Sequence, residues 1–254
     1  MSDLGLARRQ VVAEQKSFWR NPAAAGFTIV FPLMLLIVFA SINTNSRIDS
    51  LGDIRFIEYY VPGILAYAVI AACFMSLAMN LTRQRDEGIL KRKRATPLPA
   101  WALIAGLVGS SIVVAFVLAA ATVTLSIVLY DDKAPAHFGW VLVVLALGAM
   151  TFASLGVAIT AAIPNADAAP AIVNLIVLPL VFLAGTFFPV SSPGLTRVSD
   201  VFPVRPFEQA LFAAFDPRGV TSHPPPRDLL TLGLWAIGGV VLAARTFRWE
   251  RRGG

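Results

Sequence analysis

The sequence predicts an all-α integral membrane protein with six transmembrane helices, and three observations carry that prediction. Hydrophobic residues make up 57% of the 254 positions and charged residues 14%. An ordinary soluble domain runs nearer 45–50% and about 25%. The excess is more than one core can hide, so the remainder must face lipid. The charges are also segregated. Charge-free stretches occupy 21–46, 59–82, 95–130, 134–166, 168–196 and 229–244. The first five exceed the roughly 20 residues that a helix rising about 1.5 Å per residue needs to cross about 30 Å of hydrocarbon. Finally, Tyr59, Tyr60, Trp101, Tyr130, Trp140 and Trp249 fall near the ends of these stretches, where amphipathic rings prefer the membrane interface.

Taken in order, residues 4–20 form an amphipathic helix. Leu4, Val11 and Phe18 recur every seven residues with Ala7, Val12 and Trp19 beside them, and Arg9, Glu14, Lys16 and Arg20 fall mostly opposite. Such a helix lies in the membrane interface, and Asn21-Pro22 ends it. The six spans follow at 25–44, 60–82, 100–130, 138–162, 169–190 and 228–246. The last charge-free stretch has only 16 residues, and it reaches across if Asp228 and Arg245 extend to the two interfaces. Segment 191–227 is too rich in Phe and other apolar residues for a disordered loop. Leu195, Val198, Val201 and Phe202 share one helical face, as do Phe207, Ala210, Leu211 and Ala214 after Pro206. Two short re-entrant helices are therefore expected between the fifth and sixth spans. The whole of 1–254 reads as one membrane domain.

The basic residues orient the chain. Alternate segments outside the spans hold fourteen and seven of the 21 Lys and Arg residues. The richer side includes the N-terminal segment, residues 83–94 and the C-terminal tail, so both termini and the 83–94 loop face the cytoplasm of a cell membrane. The net charge of +6 is thus a topology signal and a contact for anionic lipid, and no nucleic-acid partner is expected. The first apolar run begins too far in for a secretory signal peptide. Cys73, the single cysteine, sits in an apolar run and reads as a buried inert thiol.

The stretch "RQRDEGILKRKRATPLPAW", Arg83–Trp101, concentrates six of the basic residues in twelve positions. Gly88 permits a backbone turn that ends the helix leaving the membrane. Pro97 and Pro99 fix φ and restart a helix. Ile89 and Leu90 are apolar residues among charges, costly unless lipid or a partner protein covers them. The result is a rigid elbow, and a rigid elbow transmits force.

This stretch resembles the cytosolic loop of the ABC-2 type exporter permeases, whose pattern runs roughly Arg-x-x-Glu-Gly-Thr-Leu-Lys-Arg-x-Arg-Ala-Thr-Pro-Leu-Pro. Glu87, Gly88, Leu90, Lys91, Arg92, Arg94, Ala95, Thr96, Pro97, Leu98 and Pro99 match it, while Ile89 stands where Thr is common. "VLPLVFLAGTFFPVSSPG" (Val177–Gly194) is similar to the family's fifth helix. "FPVRPFEQAL" (Phe202–Leu211) is a looser match to its Asn-Pro-Leu-x-Tyr-x-x-x-Ala-Leu, with Arg205 and Phe207 replacing commoner residues. The resemblance implies a transmembrane permease domain that pairs with a second permease, as a homodimer in the simplest case. Each copy sits on a cytosolic ATP-hydrolysing subunit that binds the ATP and Mg. The ATPase-coupling residues are then Glu87, Gly88, Ile89, Leu90, Lys91, Arg92, Arg94, Thr96, Pro97 and Pro99. The N-terminal helix contacts the ATPase and the inner leaflet, and Pro193 to Phe215 dip into the outer leaflet as two short helices. The substrate implied is a hydrophobic or amphipathic drug, antibiotic or lipid moving outward. A polysaccharide or lipid-linked glycan exporter and a non-transporting membrane scaffold are the alternatives, and a proton- or sodium-driven carrier is a further rival.

The residues themselves agree that the chain is not an enzyme with its own ATP site. Lys16, Lys91, Lys93 and Lys133 are the only lysines and none follows Gly, so no phosphate-gripping Gly-x4-Gly-Lys-Ser/Thr loop exists. His137 and His223 are expected in separate outer loops, and no metal spacing or catalytic set accompanies them. Polar residues inside spans are candidates for a substrate pathway because lipid tolerates them poorly. Asn80 and Asn174 are the strongest, with Ser76, Ser154 and Thr186 behind them. Phe182, Phe187 and Phe188 offer an aromatic face. Helix packing alone accounts for most such residues. Asp167, near an inner helix end, reads as a helix-start cap in preference to a cation site.

Overall fold

The computed structural model describes residues 3–44, 46–48, 52–95, 98–187 and 193–247, excepting the side chains of residues 4, 23, 24 and 193. Eleven helices α1–α11 and one two-stranded ribbon occur among them. Helix α1 (Asp3–Trp19) is followed by α2 (Pro22–Ile42), and then by strands β1 (Arg47–Ile48) and β2 (Ile54–Arg55), which pair antiparallel. Next comes one continuous rod, Phe56–Asp86. It consists of α3 (Phe56–Ile70), a wider π turn (Ala71–Ser76) and α4 (Leu77–Asp86). Short helix α5 (Ile89–Arg94) leads into α6 (Ala100–Tyr130) and α7 (Phe138–Ile159). Helix α8 (Ala169–Ala184), the small helices α9 (Pro193–Ser199) and α10 (Val204–Phe215), and α11 (Pro226–Thr246) complete the chain.

The chain is an all-α integral membrane protein. Five helical stretches are long and apolar enough to cross a bilayer, and α8 is a shorter apolar helix of 16 residues. The rod Phe56–Asp86 is the centre of the bundle, and most of its side chains are buried. Around it α2, α6, α8 and α11 expose large apolar side chains such as Phe27, Met34, Val128, Leu175, Leu234 and Ile237. Exposure of that kind suits hydrocarbon rather than water.

Several boundaries differ from the sequence reading. The second span starts at Phe56 and not at 60, because Glu58 reaches back to cap its beginning, accepting from the Arg55 amide at 3.0 Å and from Arg55 Nε at 3.2 Å. Tyr60 is therefore a core residue, stacked on Phe56 at 5.3 Å between ring centres, and not an interfacial ring. The fifth helix ends at Ala184 and not at 190. Gly185 adopts φ +94°, a left-handed cap that glycine takes without penalty. The second outer helix starts at Val204, two residues before Pro206, which sits in the first turn where a missing N–H costs nothing. Asn165, not Asp167, bonds the chain entering α8, through Ala168 N–H to its side-chain oxygen at 2.9 Å.

Helix α1 lies along α6. Gly106 and Gly109 leave room for it, since a Cβ on either would collide with Gln10 or Val11. Gln15 Nε2 donates to the Ser110 carbonyl at 2.8 Å and to its hydroxyl at 3.0 Å. The apolar stripe of α1 is thereby split. Val11 and Phe18 pack on protein, whereas Val12 and Trp19 remain exposed.

Candidate functional site

The elbow is a built structure. Helix α4 ends at Asp86 with Glu87 as its C-cap, and Gly88 takes φ +69°, ψ 12°, a left-handed conformation that redirects the chain into α5. Leu90 then turns inward. It is among the largest fully buried side chains and packs with Leu81, Leu103, Leu107 and Val157. This corrects the expectation that both apolar residues of the elbow need an external cover: Leu90 is covered by the chain itself, and only Ile89 is half-exposed. Burying a leucine contributes about 2 kcal/mol, so Leu90 anchors α5 while Arg83, Glu87, Lys91, Arg92 and Arg94 face outward. Pro99 begins α6 as its N-cap in extended conformation. Thr96 and Pro97 lie outside the described residues.

Two side chains that composition alone does not single out tie the elbow to the rest of the bundle. Arg85 is buried, and its guanidinium donates to the carbonyls of Thr160 at 2.8 Å, Ile163 at 2.8 Å and Pro164 at 3.3 Å. These are carbonyls just past the C-terminal end of α7, where the helix leaves acceptors unmatched. Its neighbour Asp86 accepts from the Ala166 amide at 2.7 Å. The rod and the connection from α7 to α8 are thus locked together at the elbow. On the other flank Lys93 donates to Glu14 of α1 at 3.0 Å and to Gln84 of α4 at 3.2 Å, and Gln10 holds the same Glu14 oxygen at 2.8 Å. The exposed Arg83–Glu87 pair, at 3.7 Å, adds little.

The Lys93–Glu14 link is half-buried on one side and buried on the other. A double-mutant cycle with Lys93→Met and Glu14→Gln, read by thermal unfolding, is expected to give a coupling of about 1 kcal/mol. Strict additivity of the two single changes would show that the pair does not hold α5 to α1.

The candidate pathway residues are distributed as follows. Asn80, on α4, accepts from Arg83 at 3.3 Å and Gln84 at 3.5 Å and lines a notch of about 50 Å³ shared with Glu14, Ser76 and Ser110. Asn174, on α8, donates to the Pro170 carbonyl one turn back at 2.8 Å. Phe182 and Phe187 come together at 5.6 Å, and Phe187 also meets Tyr67 at 5.8 Å and Phe39 at 6.3 Å. Phe188 lies outside the described residues. The structure thus gathers the aromatic residues and satisfies both asparagines locally.

A separate apolar cavity of about 500 Å³ lies between α8 and α11, floored by α7. Phe152 and Leu155 form its floor, Ile176 and Leu180 one wall, and Trp235 and Leu242 the other. The link from α9 to α10 roofs it, held where Trp235 Nε1 donates to the Val201 carbonyl at 2.8 Å. Phe74 of the π turn also reaches it, so the rod that carries the elbow at one end borders this cavity midway. Among the residues named as pathway candidates, none of the described ones lines it.

The chain is thus an all-α integral membrane bundle with a charged elbow at one end, two short helices at the other and an apolar cavity between. The chain belongs to the ABC-2 type transporter family, whose family model matches residues 8–215. Members of this family do not bind cofactors themselves, and the nucleotide is bound by an ATPase subunit. Among curated proteins, the chain is 25% identical over 191 residues to a protein of Bacillus subtilis (strain 168) that carries the name transport permease YvfS, covering 73% of this chain and 75% of that one. It is also 25% identical over 230 residues to Nodulation protein J of Neorhizobium galegae, covering 85% and 81%.

Proposed function

We propose that this chain is the membrane subunit of an ATP-driven exporter, working as a homodimer in the cell membrane with both termini cytoplasmic. A separate ATPase subunit docks on the elbow. The observation that carries this reading is the construction of that elbow: α5 is anchored by Leu90 against Val157 of α7 and tied by Lys93 to α1 and α4, Arg85 of α4 holds the carbonyls past α7, and Glu87, Lys91, Arg92 and Arg94 face outward. A push on α5 is therefore delivered to three elements at once, and through the rod to the cavity bordered by Phe74. The apolar cavity suits a hydrophobic or amphipathic substrate such as a drug, an antibiotic or a lipid. Asn80, Asn174, Phe182, Phe187 and Phe188 are retained as pathway residues for the outward-open state.

The test is co-purification of the chain with an ATPase subunit encoded beside it. Glu87→Arg reverses an exposed charge without touching the buried anchor, and it is expected to reduce the recovered ATPase at least tenfold. Full recovery with both Glu87→Arg and Gly88→Pro would remove the elbow as the docking element.

A further inference from the structure

At the end of the bundle opposite the elbow, α3, α10, the turn after α8 and the loop before α11 enclose a second pocket of about 340 Å³. Its character differs from that of the apolar cavity. Tyr59, Arg205, Glu208, Gln209 and Arg218 bring a hydroxyl, two guanidinium groups, a carboxyl and an amide to its walls. Part of this set fixes the frame. Tyr59 donates to the Gly185 carbonyl, Arg205 Nη1 donates to the Ala184 carbonyl at 3.1 Å, and the Thr186 hydroxyl donates to Glu208. The Ala184 carbonyl at the end of α8 and the Gly185 carbonyl of its cap are thereby satisfied. Arg205 Nε is also paired with Asp200 at 2.9 Å, which cancels one charge.

Two groups stay uncommitted. Arg218 is exposed and lies over the Phe212 ring at 5.5 Å, and it makes no hydrogen bond or ion pair among the described residues. The second oxygen of Glu208, in a side chain that is largely buried, accepts no hydrogen bond among them either. A guanidinium with all its donors open, at the mouth of a pocket with a second guanidinium inside, matches the planar two-oxygen edge of a phosphate or carboxylate.

We propose that this pocket binds an anionic group, a phosphate or carboxylate, gripped by Arg218 at its mouth and supported by Arg205 within. The ligand is either the head group of a lipid or a free anion, since both present the same oxygens. The proposal stands apart from the export reading, because it concerns binding to this chain alone.

Glu208 gives the site its pH dependence. Burial pushes its carboxyl up to about 8, against the opposing Thr186 hydrogen bond and Arg205 charge. At neutral pH it is therefore largely protonated and offers an O–H donor to the ligand. Above pH 8 it places a negative charge beside the anion. The other charged or titratable groups around it are Arg205 on the same helix, Tyr59 on α3, Asp200 after α9, Arg218 in the loop, and Arg227 and Asp228 at the start of α11.

The experiment uses the purified chain in nanodiscs of neutral phosphatidylcholine, with the unfolding midpoint followed as probe is added. The probes are dihexanoyl phosphatidylglycerol, inorganic phosphate and, as the neutral control, dihexanoyl phosphatidylcholine. At pH 7 one or both anions are expected to raise the midpoint, and the control is not. Arg218→Gln, at an exposed position, is expected to weaken the response at least tenfold. Raising the pH to 9 is expected to weaken it severalfold in the native chain and not in Glu208→Gln. A response to the lipid alone identifies a head-group site, and a response to phosphate identifies a free-anion site. No response to either anion, or a response that Arg218→Gln leaves unchanged, overturns the proposal. A response equally strong at pH 9 in the native chain overturns the part assigned to Glu208.

Discussion

Replacing Arg85 by methionine is expected to lower the unfolding midpoint by about 10 °C. Methionine keeps much of the side-chain length but supplies none of the donors that reach the carbonyls of Thr160, Ile163 and Pro164. Those acceptors are then stranded in a buried corner, and removing one partner from a buried charged network costs about 3–5 kcal/mol. For a chain of this size each kcal/mol corresponds to about 2–4 °C. Arg85→Lys is expected to recover only part of the loss, because one ammonium does not span carbonyls arranged for a fork. Differential scanning fluorimetry in detergent checks both. A native midpoint in Arg85→Met would mean that the end of α7 is held by other contacts.

Gly63→Val is expected to open the far end of the bundle. A Cβ at Gly63 would stand 2.7 Å from the Thr186 carbonyl oxygen, and that neighbour is backbone, which cannot swing aside. The rod and the turn after α8 must then separate. The Tyr59 bond to Gly185 and the Thr186 bond to Glu208 lie beside that contact. Overpacking of this kind costs about 1–3 kcal/mol before the lost hydrogen bonds are counted. The expected readout is faster hydrogen exchange confined to 181–187 and 204–213, with the elbow amides unchanged. Exchange that stays at the native rate in both segments would show that the close approach at Gly63 is not a constraint.

Much of the bundle was legible because membrane spans announce themselves through long charge-free runs. The limits of α6 and the start of α7 coincide with the sequence reading, since Pro99 and the polar 131–137 loop bound them. The early stop of α8 was not legible, because Gly185 sits inside an unbroken apolar run and only its backbone conformation reveals the end. At the elbow the Gly88 turn was readable from residue type. The inward turn of Leu90 was not, because it depends on a hollow that Leu81 and Leu103 share with Val157, which lies far along the chain. In the sequence Arg85 is one of six basic residues in a run, yet it is buried against carbonyls 75 to 79 positions away. No periodicity in one stretch of chain records such a partner. Likewise nothing in the sequence around Glu208 marks it as buried, and its burial becomes visible only once Thr186 is brought against it.

The wider turn at Ala71–Ser76 has a consequence for how the rod points its two halves. It inserts about one residue beyond the α-helical count, and each residue of an α-helix advances the side-chain direction by about 100°. The compass bearing of Gly88 about the rod axis, relative to Gly63, is therefore set by an insertion and not by any side chain in the elbow. A chain with the same elbow and one residue fewer in that turn would aim its basic helix at a different quarter of the membrane surface.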